Sequence, residues 1–361
     1  MTVRIAIHES PVTFSDRWIE ICRLREMNFT CVSGYHTDII STLRDYDLFL
    51  WHYHNWEPLS MMVGPQVLAA AQSMGLKVWP DHNTSRFYND KIYQRYLLDA
   101  VGAPSIQTYV FYDLESALEW IETATFPKIL KLRCGRRSRN VRLIADKKEA
   151  ARVCKVSFRE GFYRRKMDES FCYPDYHFGE VIHRRDHSAD SRRVNASAYC
   201  KDFTKRILRS IKHPSQLWEN LSQRERGYVY FQDFLPGNTF DTRIIVIGNR
   251  AFGCVRDNRD NDFRASGSGR VDVNVDRVDL DLVKLSFETA KKMQVQSMAV
   301  DYIYDAEKMP RIAEINYNFS TGLVGRCQGY WDTDLNWHEG HSRAEDAILD
   351  DLIASATTNQ T

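Results

Sequence analysis

An α/β module followed by an α+β body is the fold class the sequence predicts. Three observations carry that reading. Short apolar strands alternate with helical patterns up to about residue 80, this βαβ rhythm stops near residue 85, and two charge-bearing strand-turn-strand patterns fill the last third.

In the first module, Val3 to Ile7 reads as a strand, Trp18, Ile21 and Cys22 mark a helix, and Thr30 to Val32 reads as a second strand. The run Asp47-Leu48-Phe49-Leu50-Trp51, a helix from Pro65 to Met74 and a strand from Lys77 to Trp79 continue the alternation. Such a pattern folds as an open parallel sheet, whose ligands sit beyond the carboxyl ends of the strands. That place falls to Trp51-His52-Tyr53-His54-Asn55, which is either a substrate-contacting loop or a set of packed aromatics with a satisfied histidine.

From Asn83 the texture changes. A helix with Ile92, Tyr93, Tyr96, Leu97 and Ala100 on one face ends at Gly102, and Pro104 prevents its return. A second helix bearing Leu114, Ala117, Leu118 and Ile121 leads to a strand from Lys128 to Leu132, the hexapeptide Gly-Arg-Arg-Ser-Arg-Asn and a strand from Val141 to Ile144. Residues 151–230 carry 17 Lys/Arg against 10 Asp/Glu with few periodic apolar positions, the mark of a basic surface insertion. The expected divisions are 1–85 for the βαβ module, 86–150 for a first α+β subdomain, 151–226 for the basic insertion and connection, and 227–361 for a C-terminal subdomain.

The chain has 361 residues, 43% of them hydrophobic, and a net charge of +1, so it is globular and has no global field drawing it to nucleic acid or a membrane. No apolar run approaches the ~20 residues that span a bilayer, and MTVRIAIHESP reads as a first strand instead of a signal peptide; a cytoplasmic protein is expected. The eight cysteines form no C-x-x-C pair and are expected as reduced thiols without a role.

The chemistry concentrates in two hairpins. In YVYFQDFLPGNTFDTRIIVIGNRAFGCVR, the Gly248-Asn249 turn pairs Ile247 with Arg250, which sets Asp241 opposite Arg256 and Arg243 opposite Cys254. Period two puts Asp241, Arg243 and Arg256 on one face, with Ile244, Val246 and Ala251 on the other. Two arginines beside one aspartate leave positive charge that can grip phosphate or carboxylate oxygens; an ordinary ion-pair network is the alternative. In SMAVDYIYDAEKMPRIAEINYN, a four-residue loop sets Asp301 opposite Glu314, with Asn316 on the same face. Opposed carboxylates in a sheet need a cation between them, and two carboxylates with an amide oxygen suit magnesium. Lys91 and Lys131 complete a plausible phosphate site, Lys131 being placed mid-strand in PKILKLR, where its ammonium must reach an anion or water. Gly135 supplies the free backbone of the loop that follows, and Arg136, Arg137, Ser138 and Arg139 supply donors and charge.

The order Lys91, Lys131, glycine loop, Q-D-F-L, D-T-R, Asp301 and E-I-N resembles the ATP-grasp superfamily over roughly residues 85 to 335. Within it the glutathione synthetase and RimK-like carboxylate-amine ligases look nearest, and the preceding module is similar to their Rossmann-like pre-ATP-grasp domain. The resemblance implies a two-subdomain ATP-grasp fold, ATP and Mg2+ as cofactors, and small-molecule carboxylate and amine substrates. It assigns Lys91, Lys131, Gly135 and Ser138 to the nucleotide phosphates, and Gln232, Asp233, Phe234 and Leu235 to a hinge segment holding adenine. Asp301, Glu314 and Asn316 would bind magnesium, Arg243 and Arg256 would stabilise the transferring phosphoryl group or anchor the substrate carboxylate, and Asp241, Arg264, Ser266 and Gly267 would border the substrate. CGRRSRN departs from the family, whose members carry several glycines in that lid. The ending GYWDTDLNWHEG, with Asp332, Asp334, Trp337 and His338, resembles tails of ATP-grasp proteins of polysaccharide gene clusters; a packed aromatic tail is the plain alternative. Competing readings are an ATP-grasp kinase, a non-catalytic ATP-binding module, and nucleic-acid binding through residues 151–230, which lacks a reader motif. A homo-oligomer is left open, and no membrane partner is expected.

Overall fold

The strands of the first module stack as the alternation requires. In the computed structural model, which describes residues 3–10, 13–55, 57–135, 141–163, 224–260, 262–265 and 268–358, β1 (Ile5–His8), β2 (Phe29–Val32), β3 (Leu48–Leu50) and β4 (Lys77–Trp79) form a parallel sheet in the order β2-β1-β3-β4. Ile5, Ala6, Ile7, Leu48, Phe49 and Leu50 are fully buried, as expected of parallel strands covered on both faces. α1 (Phe14–Leu24) starts at Thr13, whose side chain accepts from the Ser15 amide, and its buried face includes Phe14, Trp18, Ile21 and Cys22. After the short α2 (Ile39–Thr42), α3 spans Pro58–Ser73, so Pro65 lies inside the helix instead of opening it; Pro58 takes the first turn, where the missing N–H is harmless.

Following α4 (His82–Ser85), α5 (Lys91–Ala100) is capped by Asp90, whose carboxylate accepts from the Tyr93 amide, and Gly102 leaves the helix with φ 66°. Its buried face differs from the expected stripe. Lys91, Gln94, Leu97 and Leu98 are buried while Tyr96 is exposed, because Lys91 finds a carboxylate and the Gln94 amide donates to the Phe87 carbonyl at 3.1 Å.

The chain divides into two compact units, residues 1–105 with 235–361, and residues 106–234. The second unit is a four-stranded antiparallel sheet, β5 (Thr108–Phe111), β10 (Val229–Asp233), β6 (Lys128–Lys131) and β7 (Val141–Ile144) in that order, with α6 (Leu114–Thr123) and α7 (Lys147–Arg159) packed together; β8 (Phe162–Tyr163) pairs with β9 (Arg224–Glu225). Ala117, Ile121, Leu130, Ile144, Val153 and Phe231 make its core. The bulk of the expected basic insertion, residues 164–223, lies outside the described residues.

Returning to the first unit, the chain forms a seven-stranded sheet from β11 (Phe240–Ile247), β12 (Arg250–Asp257), β13 (Val271–Asp272), β14 (Ser297–Tyr304), β15 (Pro310–Asn316), β16 (Gly329–Trp331) and β17 (Trp337–Glu339). β11 and β12 pair with Ile247 opposite Arg250 and Asp241 opposite Arg256, the register that the Gly248-Asn249 turn dictates. Gly248 has φ 54° at the first central turn position, where an L side chain would be strained. The helix α8 (Leu280–Met293) covers one sheet face, its Ser286 hydroxyl 2.9 Å from the Tyr302 hydroxyl. α9 (Thr321–Val324) and α10 (Ala344–Thr358) complete the unit.

The β14–β15 hairpin reaches its expected pairing by another route. Its loop is five residues, 305–309, and the register shifts after Tyr302 opposite Ile312, so that Ala313 bulges and Asp301 still opposes Glu314. The extra residue lets Ile312 and Ile315, three apart, both bury, which a regular strand of period two forbids.

Candidate active site

Four charged residues on the sheet face away from α8 bond to one another. Arg243 donates from Nε to Asp301 Oδ1 at 2.6 Å and from Nη2 to Oδ2 at 2.8 Å. Arg256 donates from Nε and Nη2 to the two oxygens of Asp241, both at 2.6 Å, and its Nη2 lies 2.8 Å from Asp301 Oδ2. Cross-strand register explains the geometry, since Asp241 opposes Arg256 and Arg243 opposes Asp301. The expected surplus of positive charge is therefore absent: Asp301 joins from the neighbouring strand, and two arginines face two aspartates. Further along this face Ile245, Ile247 and Phe252 are fully buried.

The two aspartates respond in opposite directions. Burial alone would raise Asp301, but Arg243 and Arg256 hold its carboxyl well below the ordinary range. For Asp241, burial and the Asp301 charge outweigh Arg256 and push the carboxyl up to about 6. Arg256 is thus committed to two buried acids. Arg243, committed to Asp301 alone, keeps the more accessible edge, its side chain 20% exposed against 8% for Arg256.

Beside this network, the buried Lys91 ammonium lies 2.9 Å from Glu314 Oε1. Asn316 Oδ1 accepts from the Asn318 amide at 2.9 Å. Among the described residues no three His, Cys, Asp or Glu side chains are grouped to hold a metal by themselves. The donor set nonetheless fits a hard divalent ion that keeps several waters: Lys91 engages one carboxylate oxygen of Glu314, and the Asn316 carbonyl retains a lone pair. Asp301 fits only if its arginines yield, because three arginine N–H groups already occupy its two oxygens.

The remaining expected residues are placed as follows. Lys131 ends β6 instead of lying mid-strand. The buried lysine of that strand is Lys128, which pairs with Asp233 and lies 5.1 Å from the Tyr109 ring centroid. Sequence reasoning missed it, since nothing in PKILKLR distinguishes the buried lysine from the partly exposed one. Gln232 is buried, its amide donating to the Thr108 hydroxyl at 3.3 Å, and the chain leaves the second unit between Phe234 and Leu235. Arg264 grips Asp262 through Nε at 2.8 Å and Nη2 at 2.7 Å. Gly135 is described with φ 144°, whereas Arg136, Arg137, Ser138, Arg139, Ser266 and Gly267 lie outside the described residues.

The loop after β3 is packed with aromatic rings. Trp51, His52, Tyr53 and His54 are all buried. The His52 ring stacks on Phe14 with centroids 3.8 Å apart, Nδ1 accepts from the Phe14 amide, and burial lowers its pKa to about 3. His8 stacks on Trp51 at 4.0 Å, accepts from the Gly34 amide at 2.8 Å, and is lowered to about 4 by burial. The tail is a hairpin satisfied from within: Asp332 accepts from the Asp334 and Asn336 amides and lies 2.7 Å from His338 Nε2.

Residues 213–334 match the RimK-like ATP-grasp domain family. Solved structures match along the whole chain. A RimK domain ATP-grasp protein from Sphaerobacter thermophilus is 14% identical, with 97% of this chain and 100% of that one covered and a TM-score of 0.54. D-alanine–D-alanine ligase from Bacillus anthracis, complexed with ATP, is 12% identical, with 99% of each chain covered and a TM-score of 0.56. The ATP-grasp ligase PsnB, complexed with a minimal precursor, Mg and ADP, is 13% identical, with 98% of each chain covered and a TM-score of 0.54. A search of curated proteins finds no match. At these identities the structural likeness carries the fold, and the family match carries the segment holding the charge network. The chain has the fold of these ATP-grasp proteins along its length, and its residues 213–334 match the RimK-like ATP-grasp domain family.

Proposed function

We propose that the chain is an ATP- and magnesium-dependent ligase that activates a small-molecule carboxylate as its acylphosphate and joins it to an amine. The observation that carries this reading is the register of β11, β14 and β15, which gathers Arg243, Asp301, Glu314 and Asn316 on one sheet face inside the RimK-like segment. The ATP-grasp ligases of similar structure, one with ATP and one with Mg and ADP, support the cofactors.

In the first half-reaction a substrate carboxylate oxygen attacks the γ-phosphorus and ADP leaves. In the second the amine attacks the acyl carbon, phosphate leaves, and the nitrogen gives up a proton to yield the amide. Bound magnesium would be held by Glu314, Asn316 and Asp301 and would neutralise charge on the phosphate oxygens. Arg243, with its accessible edge, meets the transferring group or the substrate carboxylate. Arg256 and Asp241 fix the position of Asp301. Lys91 serves the phosphates, and on the second unit Lys131, Gly135, Gln232, Asp233 and Phe234 keep the nucleotide roles that the resemblance gives them. Arg264, bound to Asp262, borders the substrate. The tail's internal bonding lends no support to a polysaccharide substrate.

The test is an ADP-release screen over acids crossed with amines. A ligase gives ADP and free phosphate only when both substrates are present, and Glu314→Ala abolishes turnover while ATP retains measurable affinity. A stable phosphorylated product formed without amine identifies a kinase instead.

A further inference from the structure

The carboxylates assigned to magnesium are already paired with cations. Glu314 is bonded to the buried Lys91, and Asp301 is clamped by Arg243 and touched by Arg256. With Asp241 paired to Arg256, the cluster holds three cations (Lys91, Arg243, Arg256) against three carboxylates (Asp241, Asp301, Glu314). Among the described residues it is neutral as it stands, so these side chains together offer a divalent cation no net attraction. A metal arriving alone would displace Lys91 from Glu314 and leave that ammonium buried beside a second positive charge, which is costly. A triphosphate arriving alone would face Glu314 and Asp301 once it had drawn Lys91 and Arg243 away.

Resting on the reading proposed above, we propose that Lys91 and Arg243 are resident counter-cations of the metal carboxylates, so that metal and nucleotide phosphates enter only together. The phosphates take over the lysine and arginine as the metal takes over Glu314 and Asp301. Each ligand removes the partner that would otherwise block the other, and linkage makes the coupling reciprocal. Arg256 stays with Asp241 throughout and prevents the aspartate pair from becoming an uncompensated double negative charge.

The full chain, freed of divalent ions, is titrated with Mn2+ alone, and bound metal is read from water proton relaxation. Wild type is expected to bind Mn2+ at least about tenfold more weakly without the ATP analogue AMPPNP than with it. Lys91→Met, which leaves Glu314 without its cation, is expected to tighten Mn2+ binding about tenfold in the absence of nucleotide. Lys91→Arg, which keeps the charge, stays at the wild-type value, and Lys91→Met with Glu314→Gln loses the gain. Equal Mn2+ affinity of wild type with and without AMPPNP overturns the inference, and that comparison needs no variant to fold. So does a Lys91→Met affinity within about twofold of wild type when its thermal unfolding shows a folded protein. If calorimetry finds that AMPPNP does not bind wild type even with Mn2+ present, the proposed function itself fails, a result distinct from failure of the coupling.

Discussion

Arg256 shows how one side chain decides the character of a charged cluster. Its guanidinium bridges Asp241 and Asp301, and both acids are buried. Two carboxylates this close are tolerable only because an always-charged planar fork bonds both. Arg256→Ala should lower stability by about 3–5 kcal/mol, because it leaves buried Asp241 without a partner. Arg256→Lys should recover part of the loss, since an ammonium keeps the charge but cannot make the bidentate bond. The midpoint of the urea transition measures both, and an unchanged midpoint for Arg256→Ala would demote the cluster to a surface network. Arg243→Ala should cost less stability, as Arg256 still touches Asp301, but it should abolish ADP release.

At the level of elements, the carboxyl ends of β1 and β3 carry histidines that are held neutral. His8 and His52 are lowered to about 4 and about 3 by burial, against an ordinary value of about 6.5 in the unfolded chain. Between those values the unfolded state binds the extra protons, so stability falls as the pH drops below about 6.5, by up to ~1.4 kcal/mol per pH unit for each ring. Asp241 opposes this trend: its raised pKa gives the folded state the extra proton below about 6, so it adds stability on acidification down to about pH 4. Replacing one histidine separates the effects. Denaturation of wild type and His52→Gln at pH 7 and pH 5 should show a shallower loss in the variant, and parallel losses would mean that His52 does not resist protonation.

For the molecule as a whole, the coupling at the charge network predicts how ligands stabilise the fold. A ligand that binds only the native state raises stability by about 2.7 kcal/mol at a hundred times its dissociation constant. Magnesium with AMPPNP should therefore raise the thermal midpoint, whereas magnesium alone or AMPPNP alone should leave it nearly unchanged. A differential scan with the three additions checks this, and a full shift from magnesium alone would contradict a neutral, self-paired site.

The sequence by itself determined what depends on local periodicity and turn chemistry. The alternation of the first module, the Gly248-Asn249 register and the shared face of Asp241, Arg243 and Arg256 follow from strand period two and a two-residue turn. The ordered residues from Lys91 to Asn316 were enough to identify the ATP-grasp resemblance. Only the tertiary structure decided which charges meet across segments that no short turn connects. Lys91 and Glu314 are 223 residues apart, and Arg243 and Asp301 are 58 apart, so their pairing depends on which strand lies beside which and on what α5 packs against. The Ala313 bulge likewise reconciles two apolar positions with one charged position and is visible only once β14 and β15 are paired. Hydrophobic pattern sets the face of each element, but the partner of a buried charge is chosen by the neighbours that remove it from water.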